Sequence, residues 1–254
     1  MDKSLSTQPD YGNWVSSRLI YISGGIGLLF LLLAFILPAL LILAVLFWFV
    51  AAYFAYARYL FSATGGDIQA RIWDLALSHL EWDGAGQALD IGCGNAPLTI
   101  RLAQKYPQTR VIGVDYWGAS WEYSKTECEQ NARVAGVGEQ VSFQKASAAA
   151  LPFEDEHFEA AVSNLTFHEV SDAPDKRQVI REALRVVKKG GKFSFQDLFL
   201  VKQQYGEIDD LLATVRSWGV AQVAFEKTGE ASFIPAALKL PFMVGTIGIL
   251  YGEK

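Results

Sequence analysis

The chain has 254 residues, with 22 Lys and Arg against 27 Asp and Glu, a net charge of −5. Lys3, Arg18 and Arg58 against Asp2 and Asp10 leave the first 61 residues at +1, so the remainder carries −6. An acidic body without a basic run makes poor phosphate contacts, which excludes nucleic acid as a partner. Cys93 and Cys128 have neither metal-ligand spacing nor an evident disulfide partner, so no metal and a reducing compartment are expected.

In chain order, residues 1–18 form a polar, nearly neutral leader, unlike the basic start of a signal peptide. Residues 19–57 contain no charge. That run is roughly twice the ~20 apolar residues one membrane span needs, and Pro38 divides it. Two spanning helices, 19–37 and 39–60, are expected, forming a hairpin domain over 19–61. A pair of helices docked on lipid from one side would show a charged face, and none exists. A dimerisation core or a re-entrant loop stays open as an alternative. Gly24, Gly25 and Gly27 offer close backbone approach within the hairpin, or a pairing face for a second copy of the chain. Trp14, Tyr53, Tyr56 and Tyr59 gather toward one interface, with Trp48 apart. Arg18 and Arg58 flank the same side of an apex without Lys or Arg, so both ends are expected in the cytoplasm, on a multi-pass protein of the cell membrane.

Gly65 and Gly66 then mark either a hinge or a helix stop. From there to residue 254 the pattern is that of one catalytic domain, 62–254. Ile68, Ile72, Leu75, Ala76 and Leu80 have helical spacing and lead into a strand at 86–91. A helix from Asn95 to Lys105, strand VIGVD and a helix ended by Gly136 follow. Strands VSFQ and FEAAVSN, a helix over 175–187 and strand GKFSFQD complete the alternation of a parallel sheet covered on both faces. GVAQVAFEK and LPFMVGTIGILYG supply two last strands. The fold class expected is α/β, a Rossmann-like seven-stranded, mostly parallel sheet preceded by two transmembrane helices.

The chemistry sits at ALDIGCG, 88–94, and at VIGVD, whose Asp115 lies 21 positions beyond Gly94. A strand, a glycine turn and a helix start bring backbone N–H groups to a ligand, and an acid ending the next strand reaches a ribose diol. A pyrophosphate cradle needs a third small residue, where this chain has Pro97, and Asp90 would repel the phosphates. S-adenosylmethionine has no phosphate and carries an ammonium and a sulfonium, so the acid helps it.

With LDIGCGN, GVDY, ALPFEDEHFEAAV, SNLTFHEV and REALRVVKKGGKF in this order, the chain from about Gly65 onward resembles the class I S-adenosylmethionine-dependent methyltransferases. The resemblance is to their small-molecule group, which includes quinone-ring and sterol methyltransferases. It implies that Asp90, Gly92, Cys93, Gly94 and Asn95 line the methionine end, that Asp115 holds the ribose hydroxyls and that Tyr116 packs on adenine. It places Ser147, with Ala148, where the family carries an acid for the adenine amino group, and it makes the last two strands an antiparallel closing pair. Glu159 stands where Asp is usual.

Ligands of such sheets bind at the carboxyl ends of the strands, so Asn164 and Leu165 are expected to face the sulfonium. His168 and Glu169 are the candidate catalytic residues. His168 titrates nearest neutral pH and suits a general base, or else it caps the following helix or bonds a backbone carbonyl. Trp117 and Trp121, beside Tyr123, either wall an apolar acceptor site or fill the core. His79 and His157 are expected to have no special role. Two functions follow: an enzyme methylating a quinone, isoprenoid or sterol-like lipid or a phospholipid headgroup, and a membrane-tethered sensor or scaffold that binds the cofactor without turnover.

Overall fold

The computed structural model describes residues 8–118 and 124–254. The described residues form two compact units, Gly12–Ile72, and a second made of residues 73–118 and 124–254 together with residues 8–11.

In the first unit, Ser16 caps helix α1, Ser17–Leu33, by accepting the Arg18 amide on its hydroxyl. A 3-10 turn, Pro38–Leu40, leads into helix α2, Leu41–Phe61. The first helix ends earlier than expected. Leu37 is extended, φ −127° and ψ 94°, as the residue before a proline must be, and residues 34–37 turn instead of continuing the helix. At 1.5 Å per residue α1 is about 26 Å long and α2 about 32 Å, against a bilayer core of about 30 Å. Among the described residues, Pro38–Phe61 is the one helical stretch long and apolar enough to cross a membrane, with mean hydropathy 2.3. α1 is apolar but short.

The two helices meet at Gly27. A Cβ there would lie 2.5 Å from Trp48 Cδ1 and 3.2 Å from the Ala44 carbonyl oxygen. Ala44 and Ala57 are fully buried, while Phe35 and Ile36 at the apex stand out at 86% and 85% exposure. Gly24 and Gly25 face open space, so only one of the three glycines serves the helix contact. Trp48 belongs to that contact. Gly65 stops the helix, since a side chain there would overlap the Tyr59 carbonyl.

Helix α3, Ile68–Ser78, begins in the first unit and ends in the second, where β1, Gln87–Ile91, follows. Then come α4, Pro97–Lys105; β2, Arg110–Asp115; α5, Lys125–Val134; β3, Val141–Lys145; and β4, Phe158–Asn164. α6, Lys176–Arg185, and β5, Val187–Asp197, follow. α7, Lys202–Tyr205, and α8, Ile208–Ser217, separate β5 from β6, Gln222–Lys227, and β7, Gly248–Glu253, closes the chain. The sheet has seven strands in the order β3-β2-β1-β4-β5-β7-β6, with β7 antiparallel to both neighbours and the rest parallel. The last strand is shorter than expected. Residues 238–245 form turns in which the Leu238 and Leu240 carbonyls take the amides of Val244, Met243 and Gly245, so LPFMVG never pairs. Residues of the N-terminal leader join this unit too. The Asp10 amide donates to Asn131 Oδ1 and the Asp10 carbonyl accepts Asn131 Nδ2, both at 2.9 Å.

Phe158, Phe167, Phe193, Phe195, Phe199 and Tyr205 are fully buried in one cluster that fixes β4 and β5 against α6 and α8. Its consequence is positional: Ile91, Asp115, Asn164 and Asp197 end their strands along one edge.

Candidate active site

That edge is built around the glycine turn. Gly92 and Gly94 have φ of +73° and +55°, and Ala96, which precedes α4, is also left-handed at 67°. Trp117 and Leu165, just past β2 and β4, share this rare backbone at 41° and 53°. Such strain persists where the surroundings over-determine it, commonly at functional sites. The Gly92 amide donates to the Val114 carbonyl at 2.7 Å, and the Thr166 side chain occupies the space a Cβ on Gly92 would need.

Asp115 clamps the turn. Its Oδ2 accepts the Gly94 amide at 2.9 Å and its Oδ1 accepts the Trp117 amide at 2.7 Å. A carboxylate offers about four lone-pair sites, so two remain, one per oxygen, which is what a vicinal diol requires. The Trp117 indole N–H donates to the Gly94 carbonyl at 3.2 Å, and the Cys128 thiol donates to the same oxygen at 2.9 Å. Trp117 is thus part of the turn. Trp121 and Tyr123 lie outside the described residues.

Asp90 is buried beneath the turn. Thr99 donates to its Oδ2 at 2.6 Å, while Oδ1 has no partner. Burial raises its carboxyl to about 7, against the Thr99 hydrogen bonds that pull the other way. Asn95 Oδ1 and Asn164 Oδ1 are buried acceptors without a donor as well. Asn164 follows Ser163, which pairs with Ile91, so it stands opposite the turn. Three unsatisfied acceptors around one turn fit a cationic, donor-bearing ligand and would repel a phosphate.

Not every expected residue offers its side chain. Cys93 is buried, and its Sγ lies 3.0 Å from where a Cβ on Gly113 would sit, so it points under β2; burial raises its thiol well above the usual range. It can contribute backbone only. Ala148 belongs to the core cluster. Leu165 is held through its amide, which donates to the Gln196 carbonyl at 2.8 Å. Tyr116 is 64% exposed with the Lys145 ammonium 4.9 Å from its ring centroid. Ser147 donates to Asp172 Oδ2 at 2.7 Å, so a carboxylate stands beside the position where the resembling family has one.

At the far end of the edge, residues Phe167–Glu169 make one 3-10 turn after β4. His168 Nδ1 is 2.8 Å from Asp197 Oδ1, and its Nε2 is 3.2 Å from Glu169 Oε1. Asp197 is fully buried and also receives the Phe167 amide at 2.7 Å, the Leu198 amide at 2.7 Å and the Tyr205 hydroxyl at 3.1 Å. Burial alone would lower the His168 pKa, but the hydrogen bond and charge of Asp197, then Glu169, raise it above 6.5. An imidazole whose Nδ1 is held by a fixed carboxylate presents Nε2 as a strengthened base. Asp197, Tyr205, Thr166 and Thr99 are site residues the sequence reading did not single out. Asp197 did leave a signal, because it ends a core strand as Asp115 does. His79 is also less idle than expected, stacking on Tyr251 at 4.1 Å and facing Glu226 Oε2 at 3.1 Å.

The segment holding the turn, both Asp90 and Asp115, and His168 matches a known family, described as a methyltransferase domain, over residues 88–191. The chain is 34% identical over 134 residues to a 2-phytyl-1,4-naphtoquinone methyltransferase of Trichormus variabilis, covering 51% of this chain and 54% of that protein. It is 31% identical over 145 residues to the 27-O-demethylrifamycin SV methyltransferase of Amycolatopsis mediterranei, covering 57% and 50%. With a ubiquinone/menaquinone biosynthesis C-methyltransferase of Desulfotalea psychrophila the identity is 27% over 195 residues, covering 67% and 74%. The chain spans about half the length of the first two relatives. Among solved structures, a geranyl diphosphate methyltransferase in complex with S-adenosylmethionine has the same fold, with TM-score 0.56 at 15% identity over 78% of this chain and 89% of that one. So does a [4+2]-cyclase, with TM-score 0.54 at 21% identity over 73% and 80%.

Proposed function

We propose that the protein is a membrane-anchored S-adenosylmethionine-dependent methyltransferase acting on a small hydrophobic or amphiphilic acceptor. The cofactor reading rests on one observation above all. Asp115 clamps the glycine turn with one free acceptor site on each oxygen, beside three unsatisfied buried acceptors that call for a cation. Asp90, Asn95 and Asn164 would take the methionine end, Asp115 the ribose, and Tyr116 with the Ser147–Asp172 pair the adenine. When bound, the cofactor supplies an electrophilic methyl on a positively charged sulfur.

The protein's own contribution is orientation and proton management. Methyl transfer is an in-line displacement, so holding the acceptor against the methyl supplies most of the acceleration. His168 takes the proton of a hydroxyl or an activated ring carbon at Nε2, once Glu169 yields that position. Asp197 keeps the ring in the tautomer that leaves Nε2 free. Glu169, half exposed, passes the proton to solvent.

The quinone methyltransferases among the relatives support a quinone-like acceptor, with isoprenoid or sterol-like lipids and phospholipid headgroups as the wider class. The anchor reading draws on the apolar surface of residues 19–59 and on the length of α2, with α1 completing a tilted or thinned span and both termini in the cytoplasm. Purified full-length protein incubated with methyl-labelled cofactor and host membrane lipids is expected to move label into an apolar extract component. Cofactor bound without any transferred label would instead establish the second reading, a tethered binding module. That reading draws on the cyclase, which carries the fold under another activity.

A further inference from the structure

Outside residues 12–72, the described large hydrophobic side chains that remain exposed are Tyr116, Leu240 and Phe242, at 64%, 39% and 66%. All three fall at the same end of the sheet. Tyr116 directly follows Asp115 at the carboxyl end of β2. Leu240 and Phe242 lie in the long connection between β6 and β7, and its two ends are fixed by register: Gly248 pairs with Asp197 on one side and with Lys227 on the other. The connection therefore rises from the strand end that carries Asp197 and His168.

The tip is built to stand out. Pro241 has no amide to donate, the Leu240 carbonyl is filled by the Met243 and Gly245 amides at 2.9 and 3.0 Å, and the Thr246 hydroxyl ties down the Pro241 carbonyl at 2.9 Å. Below the tip, Val244 and Leu238 are fully buried, so the loop is pinned while Leu240 and Phe242 project. A cation flanks each apolar site: Lys239 precedes Leu240, and the Lys145 ammonium covers the Tyr116 ring. Aromatic and aliphatic tips beside lysines are the composition that settles at the boundary between headgroups and acyl chains. On an otherwise acidic unit, that combination is confined to the mouth of the site.

We propose that the Lys239–Phe242 tip, with Tyr116, seats the mouth of the active site on the surface of a lipid bilayer, so that an apolar acceptor passes from membrane to site without crossing water. The occupant is the bilayer and not a soluble partner because the Lys239 and Lys145 ammonium groups beside the apolar tips complement anionic headgroups, and because the same chain carries the membrane-length apolar helix Pro38–Phe61. The inference rests on the membrane-anchored reading and deepens it: the hairpin supplies attachment, and the tip supplies access.

The test uses the full chain reconstituted in phosphatidylcholine–phosphatidylglycerol vesicles, with an environment-sensitive dye on a single introduced cysteine. Cys93 and Cys128 are buried and stay unlabelled in the folded protein. Three sites are compared: Phe242→Cys at the tip, Leu32→Cys on the hairpin, and Lys189→Cys on the opposite end of the sheet. The expected result is blue-shifted emission at 242, strongly quenched by lipids carrying a quencher near the headgroup, with 189 unaffected and 32 quenched by a deeper probe. If 242 behaves like 189 while 32 is quenched, the inference falls and the anchor stands. If 32 also reports water, the anchored reading itself fails. A blue shift at 242 that no lipid quencher reaches would mean that protein, such as a second copy of the chain, covers the tip, and would overturn the proposal.

Discussion

His168 Nδ1 stands 2.8 Å from Asp197 Oδ1, and the carboxylate of that pair is wholly buried with two backbone amides and a tyrosine hydroxyl holding it in place. The acid cannot rotate away, so the ring cannot either. Replacing Asp197 with Asn keeps the shape and removes the charge. Because Asp197 helps raise the His168 pKa, activity should rise with pH through an inflection above 6.5 in the parent and at lower pH in Asp197→Asn. Turnover should fall by roughly 100-fold, the usual weight of a general base, with cofactor affinity unchanged. A pH–rate profile beside calorimetry reads both, and a slower enzyme with an unmoved inflection would rule out positioning.

Asp115 and His168 separate binding from chemistry. Asp115→Ala loses the clamp on Gly94 and Trp117 as well as the diol partner. Charge-assisted hydrogen bonds contribute about 1.5–3 kcal/mol each, so the dissociation constant for S-adenosylmethionine should rise by about 30-fold or more. His168→Ala should bind the cofactor as the parent does. Equal losses in titration calorimetry would mean that His168 belongs to the cofactor site.

Much of this was legible before any coordinates. Strand–turn–helix alternation gave the parallel sheet, because apolar period and glycine placement are local properties. ALDIGCG with Asp115 marked the glycine turn and its carboxylate clamp for the same reason. The His168–Asp197 pair was half visible. His168 follows a recognisable strand end, but its partner is 29 positions away and meets it only because β4 and β5 are neighbours in register. Cys93 and Ala148 fell within the right motifs, yet a motif says nothing about which way a side chain points. Gly24 and Gly25 failed likewise: three small residues in a helix cannot all lie on one face, and only Gly27 turns toward Trp48.

Asp90 sets binding against stability. Its carboxyl is raised from 3.8 to about 7 in the folded protein, so the folded state binds a proton the unfolded chain would release. The associated stability is fully present below about pH 4 and is lost as pH rises through about 7. Asp90→Asn, neutral at every pH, should abolish that loss and melt higher than the parent at pH 8 without cofactor. The same variant should bind the cationic cofactor more weakly, since it has no charge to offer the ammonium. Thermal melts at pH 6 and 8, with and without S-adenosylmethionine, check both signs. A parent whose stability does not change across that interval would show that Asp90 is ionised in the free fold.

The hairpin can be tested at a single position without touching the catalytic unit. A leucine at Gly27 must displace Trp48, because even a Cβ would sit 2.5 Å from the indole, and overpacking of this kind costs about 1–3 kcal/mol. A Cβ at Gly24 or Gly25 meets nothing within 4 Å, and a leucine there gains about 1 kcal/mol of helix propensity. The two classes of variant should therefore move in opposite directions when the helical signal of detergent-solubilised protein is melted. Gly27→Leu should loosen the pair, seen also as faster proteolysis near the apex at Phe35 and Ile36. If Gly24→Leu destabilised as much as Gly27→Leu, the helices would cross on a different face in solution.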